Sequence, residues 1–434
     1  MPNPLSRTAP SPGHAWYALG LLMMVFVFSF IDRQILNLLV GPIRRDLGVS
    51  DTQISLLLGP AFAVVYVAMG FPFGRLADTH NRRNLVVAGF AIWSTATLLS
   101  GLAQSYDQLL LARVVLAVGE ASLAPAAYSL IADYFPEQRR ATAMAIYAMG
   151  IYIGSGLAFM LGGLVVGTVG QQAALQLPLI GTLAPWQQVF LLLGGLSLGF
   201  VLVVLTLREP PRAASHVAAS WSAVRAYGRR HRRTLLCHHF GFAFMALSGY
   251  ASSAWLPTYF ARIHGWNPGR FALIYGAIIL VFCCAGALAG GLWADRLRRR
   301  GQVDATVRVG AYAALASLPL GLLYLLPVAP EIAIALIIPA TVLIAMPAGV
   351  AVAGLQQLVP ANLRGRASAV YLLVVNLVGL GLGPTAVALL TDRWFADPQA
   401  LGLSLLIVCG GAQLLAALLL TAGIKPFRDS LAQA

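Results

Sequence analysis

Residues 74–83 read Gly74-Arg75-Leu76-Ala77-Asp78-Thr79-His80-Asn81-Arg82-Arg83. One apolar run, 52–74, leads into this stretch and another, 84–103, leads out of it. Each run is close to the ~20 residues that cross the hydrocarbon core of a bilayer. The charged decapeptide between them belongs at a membrane surface, because an arginine held at mid-depth costs ~2.5 kcal/mol or more. Residues 52–103 therefore read as two membrane-crossing helices joined by a short turn.

The rest of the chain repeats this pattern. Of 434 residues, 59% are hydrophobic and 10% charged, against ~25% charged in a soluble domain. Breaks at charged and Pro/Gly clusters give six spans at 16–40, 52–74, 84–103, 108–134, 141–166 and 187–207. Six more follow at 234–261, 270–294, 305–327, 332–358, 367–391 and 399–423. The expected class is an all-α polytopic membrane protein of twelve helices in two six-helix bundles. Its parts are a disordered tail (1–15), a first bundle (16–207), a basic linker (208–233), a second bundle (234–423) and a tail (424–434). Trp16 opens the first span with no small-residue cleavage site after it, so that span reads as a retained helix.

Net charge is +14, yet its distribution points to membrane topology rather than nucleic acid. With even helix numbers, both tails and the linker share a side. That side carries 22 of the 29 basic residues, among them Arg75, Arg82, Arg83, Arg139, Arg140, Arg298, Arg364 and Arg366. The other side has five: Arg44, Arg45, Arg262, Arg270 and Arg393. The positive-inside rule then expects cytoplasmic termini and an inner, plasma-membrane location.

The two halves echo each other. Gly74-Arg75-Leu76-Ala77-Asp78 recurs as Gly291-Leu292-Trp293-Ala294-Asp295, and Arg140-Ala141-Thr142-Ala143 as Arg366-Ala367-Ser368-Ala369. Two parallel six-helix repeats joined by a cytoplasmic loop are a transporter arrangement, with substrate expected near mid-membrane at the repeat interface. The 74–83 stretch resembles the signature loop of the major facilitator superfamily, with Asn81 where the family usually has Gly. Asn tolerates a left-handed turn better than most residues. As a cytoplasmic gate we expect Gly74, Arg75, Asp78, Arg82, Arg83, Asp133, Arg139, Arg140 and Asp295. Asp78 would accept hydrogen bonds near a helix N-terminus around Ala367.

Within that superfamily, Phe30-Ile31-Asp32-Arg33-Gln34, Gly119-Glu120-Ala121-Ser122, Asp133-Tyr134-Phe135-Pro136 and Arg139-Arg140-Ala141 resemble the Spinster family, mainly over 16–165. The resemblance implies an anionic amphipathic lipid as substrate, such as a lysophospholipid or sphingosine 1-phosphate, with coupling to protons.

Four ionisable residues fall deep inside predicted spans: Asp32, Arg33, Arg113 and Glu120. Buried charge in a membrane is costly and calls for a reason. Arg113 and Glu120, seven apart, share one helix face. Asp32–Arg33 on the first span reaches a similar depth, so the four form a neutral set. We expect Glu120 and Asp32 to carry protons and Arg33 and Arg113 to meet an anionic headgroup, Arg presenting a planar fork to phosphate or carboxylate. Two purely structural ion pairs are the alternative. The second half supplies neutral candidates: Tyr250, Trp255, Tyr259, Gln356, Tyr371 and Asn376. Each could equally be packing or interfacial belt.

Other features restrict the function. Glycines at 154, 156, 162, 163, 167, 379, 381 and 383 suit close helix packing. His238 and His239 read as interfacial polar residues, and Cys237, Cys283, Cys284 and Cys409 as small buried hydrophobes, so no metal and no cofactor is expected. The 168–186 loop carries no assignable function. The chain lacks a Gly-x-Ser-x-Gly elbow, a His-Glu-x-x-His pair and a Walker A loop, which argues against an enzyme. The expected partners are a lipid or small-molecule substrate, protons and membrane lipids, with no nucleic acid, and a monomer suffices. Drug or small organic-anion export is the rival transport reading, and a non-transporting receptor the rival from another class.

Overall fold

The computed structural model describes residues 12–169, 175–177, 181–212, 221–360 and 363–433. Six long helices form the first half: Pro12–Leu47, Asp51–Thr79, Arg82–Ser100, Tyr106–Tyr134, Glu137–Val169 and Pro185–Val204. Six more follow: Arg232–Ile263, Pro268–Arg299, Ala305–Leu323, Pro330–Leu358, Arg364–Phe395 and Pro398–Leu431. We number these one to twelve. Ten meet both the length and the apolarity of a membrane span. The third and seventh are equally long and carry more polar residues, such as Arg82, Arg83, His238 and His239. The all-α membrane architecture read from the sequence is the one observed.

Several boundaries differ from expectation. Residues 12–15, assigned to a disordered tail, already belong to the first helix; residues 1–11 lie outside the described residues. The twelfth helix continues through 424–431, where a tail was expected. The linker contains a separate helix, Trp221–Arg230. Within the 168–186 loop, Leu175–Leu177 pairs antiparallel with Gly181–Leu183, Leu175 opposite Leu183; 170–174 and 178–180 lie outside the described residues.

Local chemistry explains the turns. Gly48 adopts φ +63° after the first helix, a conformation that glycine enters without penalty. Ser50 and Gln53 then form a reciprocal capping box at the start of the second. Asn81, expected to tolerate a left-handed turn, does something else. Its backbone is extended (φ −68°, ψ 114°), and its side chain accepts from the Asn84 amide at 2.9 Å, capping the third helix.

Two compact units emerge; their main border falls within the linker that joins the halves of the sequence, and residues 49–63 alone depart from it. The first comprises Met1–Gly48 with Val64–His216, the second Val49–Ala63 with Val217–Ala434. The outer part of the second helix thus packs in the second unit. Asp51, fully buried, receives two hydrogen bonds from Arg262 at 2.6 and 2.7 Å, and the Thr52 amide and hydroxyl donate to Asp392 at 2.6 and 2.8 Å. A break at Gly59 brings its backbone against helix eleven so closely that a Cβ there would sit 2.6 Å from the Leu380 carbonyl oxygen.

Among its described residues the second unit contains three π-helical stretches, Ile279–Cys283, Asn376–Leu382 and Leu390–Phe395. Each leaves a local gap in the regular i to i−4 ladder. Gly379 and Gly383 on helix eleven lie tight against helix seven, with the Leu247 carbonyl 2.8 Å from a Cβ at Gly383. His238 and His239 are buried, not interfacial. The His238 Nε2–H donates to the Ala351 carbonyl at 2.9 Å, and both rings lie edge-on to Tyr371. About one turn of helix, Thr234 to Cys237, lies between them and the linker. Cys237 and Cys409 are buried, Cys283 and Cys284 half-buried, and all four thiols are free.

Candidate functional site

The first unit gathers the four deep charges. Arg33 donates from Nε to Glu120 Oε2 at 2.6 Å, with a second guanidinium nitrogen at 2.5 Å from the same oxygen. Ser29, one turn earlier on the first helix, adds a hydroxyl donor at 2.9 Å. Arg113 Nη1 donates to the backbone carbonyl of Asp32 at 3.0 Å. Asp32, Arg113 and Glu120 are each 1% exposed, whereas the Arg33 side chain keeps 14%. Arg33 is therefore the member of the set that an incoming ligand can reach.

The carboxylates are unevenly served. Glu120 Oε1 and both oxygens of Asp32 are buried without a well-formed hydrogen bond among the described residues, although the Thr97 side chain lies close enough to Asp32 to interact with it. A buried polar atom without a partner costs about 1–3 kcal/mol.

Aromatic rings frame the cluster. The Arg33 guanidinium lies 5.1 Å from the Phe30 ring centroid and 5.0 Å from that of Tyr66, both within cation–π range. Phe26 stacks on Tyr147 at 4.8 Å, and Tyr128 meets Tyr147 edge-on at 5.4 Å. Sequence reading missed Ser29, Tyr66, Tyr128 and Tyr147. A serine or tyrosine within an apolar helix carries no signal until its neighbours are known.

Glu120 is positioned by small residues. Gly119 on helix four and Gly89 on helix three bring their backbones together: a Cβ at Gly119 would lie 2.7 Å from the Gly89 carbonyl oxygen and 2.9 Å from the Trp93 nitrogen. Two residues past Glu120 the helix breaks at Ser122, whose hydroxyl donates to the Gly119 carbonyl at 2.8 Å. Gly119→Val should lower the yield of folded, monodisperse protein in size-exclusion chromatography at least several-fold, because the opposing atoms are backbone and cannot rotate away. Gly195→Val, with open space around the glycine, should behave as wild type.

Of the neutral candidates in the second unit, Trp255 and Tyr259 belong to the interior packing. Trp255 is 0% exposed and donates to the Pro384 carbonyl at 2.9 Å, while Tyr259 packs on Phe260 and His264. Tyr371 is buried beside the two histidines. Burial thus removes these three from the set of open ligand contacts. Tyr250 and Asn376 are half-buried and Gln356 is exposed.

The expected gate residues divide in the same way. Arg82 is 1% exposed and tied to Asp133, to Glu209 at 2.7 Å, to the Ser129 hydroxyl at 2.9 Å and to the Pro210 carbonyl at 3.2 Å. Arg83 holds the Leu207 carbonyl at 2.9 Å and the Leu205 carbonyl at 2.6 Å. Arg212 caps the end of helix two, donating to the carbonyls of Ala77, Asp78 and His80. Arg75, Asp78, Arg139 and Asp295 are exposed, Gly74 and Arg140 half-buried. Glu209 and Arg212 were missed, although Glu209 stands out as an acid in an otherwise basic linker.

Comparison with known proteins fits this geometry. The family model described as Major Facilitator Superfamily matches residues 22–384. The chain belongs to the major facilitator superfamily. It is 29% identical over 416 residues to an MFS-type efflux pump of Mycolicibacterium smegmatis, covering 94% of this chain and 92% of that protein. It is 28% identical to human protein spinster homolog 1 over 316 residues, 67% of this chain and 56% of the human one, so only about half of that relative is spanned. Among solved structures, a bacterial homologue of the human lysosomal transporter Spinster, in an inward-facing and unoccupied conformation, superposes with a TM-score of 0.78. Its identity is 25%, with 98% of both chains covered. The nucleoside transporter NupG, at 14% identity and a TM-score of 0.71, shares the fold. This major facilitator chain is thus an integral membrane transporter with Spinster homologues among its relatives.

Proposed function

We propose that this transporter moves an anionic amphipathic lipid, of the lysophospholipid or sphingoid-phosphate kind, together with protons. The observation that carries the reading is the Arg33–Glu120 pair. A partly exposed arginine, held between two aromatic rings, is bonded to a buried carboxylate that has one oxygen free. A phosphate arriving at Arg33 competes with Glu120 for the guanidinium. The released carboxylate is then left buried among apolar groups and takes up a proton. Asp32 is its partner in proton handling and Arg113 the fixed countercharge. Substrate and proton occupancy are coupled because both draw on one ion pair. The likeness to the Spinster homologues supports the lipid class.

Topology and gating complete the proposal. The chain resides in a bacterial inner membrane with both termini cytoplasmic, a topology that the arginine asymmetry supports. Asp78, exposed at the end of helix two, latches the cytoplasmic side during alternating access, and a monomer is the working unit. Drug export is a second reading, favoured by the efflux pump matched along 94% of this chain. Flux assays on proteoliposomes with labelled lysophospholipid, a cationic drug and a small organic anion separate the two. Saturable lipid flux competed by phosphate-bearing amphiphiles supports the first reading. Movement of the drug or anion alone overturns it.

A further inference from the structure

We infer that the linker helix Trp221–Arg230 and the first turn of helix seven form a docking surface for the anionic headgroups of the inner leaflet. The inner face of this helix is fastened to the second unit. Ala223, Val224 and Tyr227 pack on its core, the Tyr227 hydroxyl donates to the Leu358 carbonyl at 2.7 Å, and Arg366 covers the Trp221 ring at 5.0 Å. At its end His231 is buried against Ser430 of the twelfth helix, Nδ1 to Oγ 3.0 Å. Burial, helped by Arg230 next door, holds the His231 imidazole below its ordinary range, so this junction carries no charge at neutral pH.

The outer face is different in kind. Arg225 and Arg229, one turn apart, are exposed, as are Arg230, Arg232 and Arg233, and no acid lies between 221 and 236. Leu236 follows Arg232 and Arg233 by one turn and is a 55% exposed leucine. An exposed apolar side chain in a membrane protein marks where hydrocarbon begins, so the two arginines stand about 5 Å outside it, at headgroup depth. Five exposed arginines, two of them at that level and three on the adjoining linker helix, complement a negatively charged bilayer surface. Each arginine near such a surface is worth about fivefold in binding. The docking surface is continuous with the span and needs no ordering on contact, which keeps most of that gain.

Amide hydrogen exchange across 221–236 tests the assignment, with the full-length protein in nanodiscs of phosphatidylcholine or of an equal mixture with phosphatidylglycerol. Exchange should slow about fivefold or more in the mixed bilayer. That difference should vanish in the R225Q/R229Q/R232Q/R233Q variant and survive in the corresponding lysine variant. Equal exchange of the wild type in both bilayers overturns the inference, and so does protection produced by inorganic phosphate in phosphatidylcholine alone. The wild-type comparison decides the matter even if the glutamine variant does not fold.

Discussion

Glu120→Gln should abolish accumulation of labelled lysophospholipid driven by a pH gradient, while leaving counterflow exchange across the same proteoliposomes. A one-unit gradient is worth about 1.4 kcal/mol per coupled proton, about tenfold accumulation at one proton per substrate. The wild type should approach that ratio and the variant should stay at equality. Glutamine keeps the shape and can still accept from Ser29 and Arg33, which lie at 2.9 and 2.6 Å. What it loses is the proton-binding oxygen. Asp32→Asn should show the same direction of effect. Gradient-driven accumulation at wild-type level in both variants would sink the assignment of these carboxylates.

Arg82→Ala should cost the first unit about 3–5 kcal/mol, the penalty for removing one partner of a buried charge network. Asp133 and Glu209 would lose their shared cation, and the Pro210 carbonyl and Ser129 hydroxyl would each lose a donor. Arg82→Lys should recover only part, because an ammonium cannot span donors that a planar fork reaches in fixed directions. Thermal melting of the detergent-purified protein measures both, with Arg75→Ala, an exposed residue of the same loop, as the comparison. Equal melting temperatures for Arg82→Ala and Arg75→Ala would contradict the network's role.

Much of this architecture was legible before any coordinates. A membrane imposes apolar blocks of fixed length and punishes internal charge, so twelve spans and four anomalous residues can be read directly. Arg113 and Glu120 share a helix face by arithmetic alone, and the structure places Glu120 on Arg33 and Arg113 on the Asp32 carbonyl. The remainder was hidden for identifiable reasons. Trp255 and Tyr259 are aromatics on apolar helices, a pattern common to packing and to ligand contact; only their burial separates the two. Residues 52–63 read as the start of a first-half helix, and the pairing of Asp51 with Arg262 and of Thr52 with Asp392, more than 200 residues away, is a tertiary fact. The linker helix was concealed because its arginines excluded it from the bilayer, which says nothing about whether it is helical. Asn81 was assigned a turn conformation by analogy with glycine, whereas asparagine is also a strong N-cap residue, and capping prevailed.

The central claim is that an anionic ligand takes Arg33 from Glu120 and a proton takes its place. Proton movement on ligand binding tests it most directly, read with a pH indicator in weakly buffered, detergent-purified protein titrated with lysophospholipid. Saturable proton uptake in the wild type, absent in Glu120→Gln although the ligand still binds, is the predicted result. Binding with no proton uptake, or uptake that persists unchanged in Glu120→Gln, would contradict it.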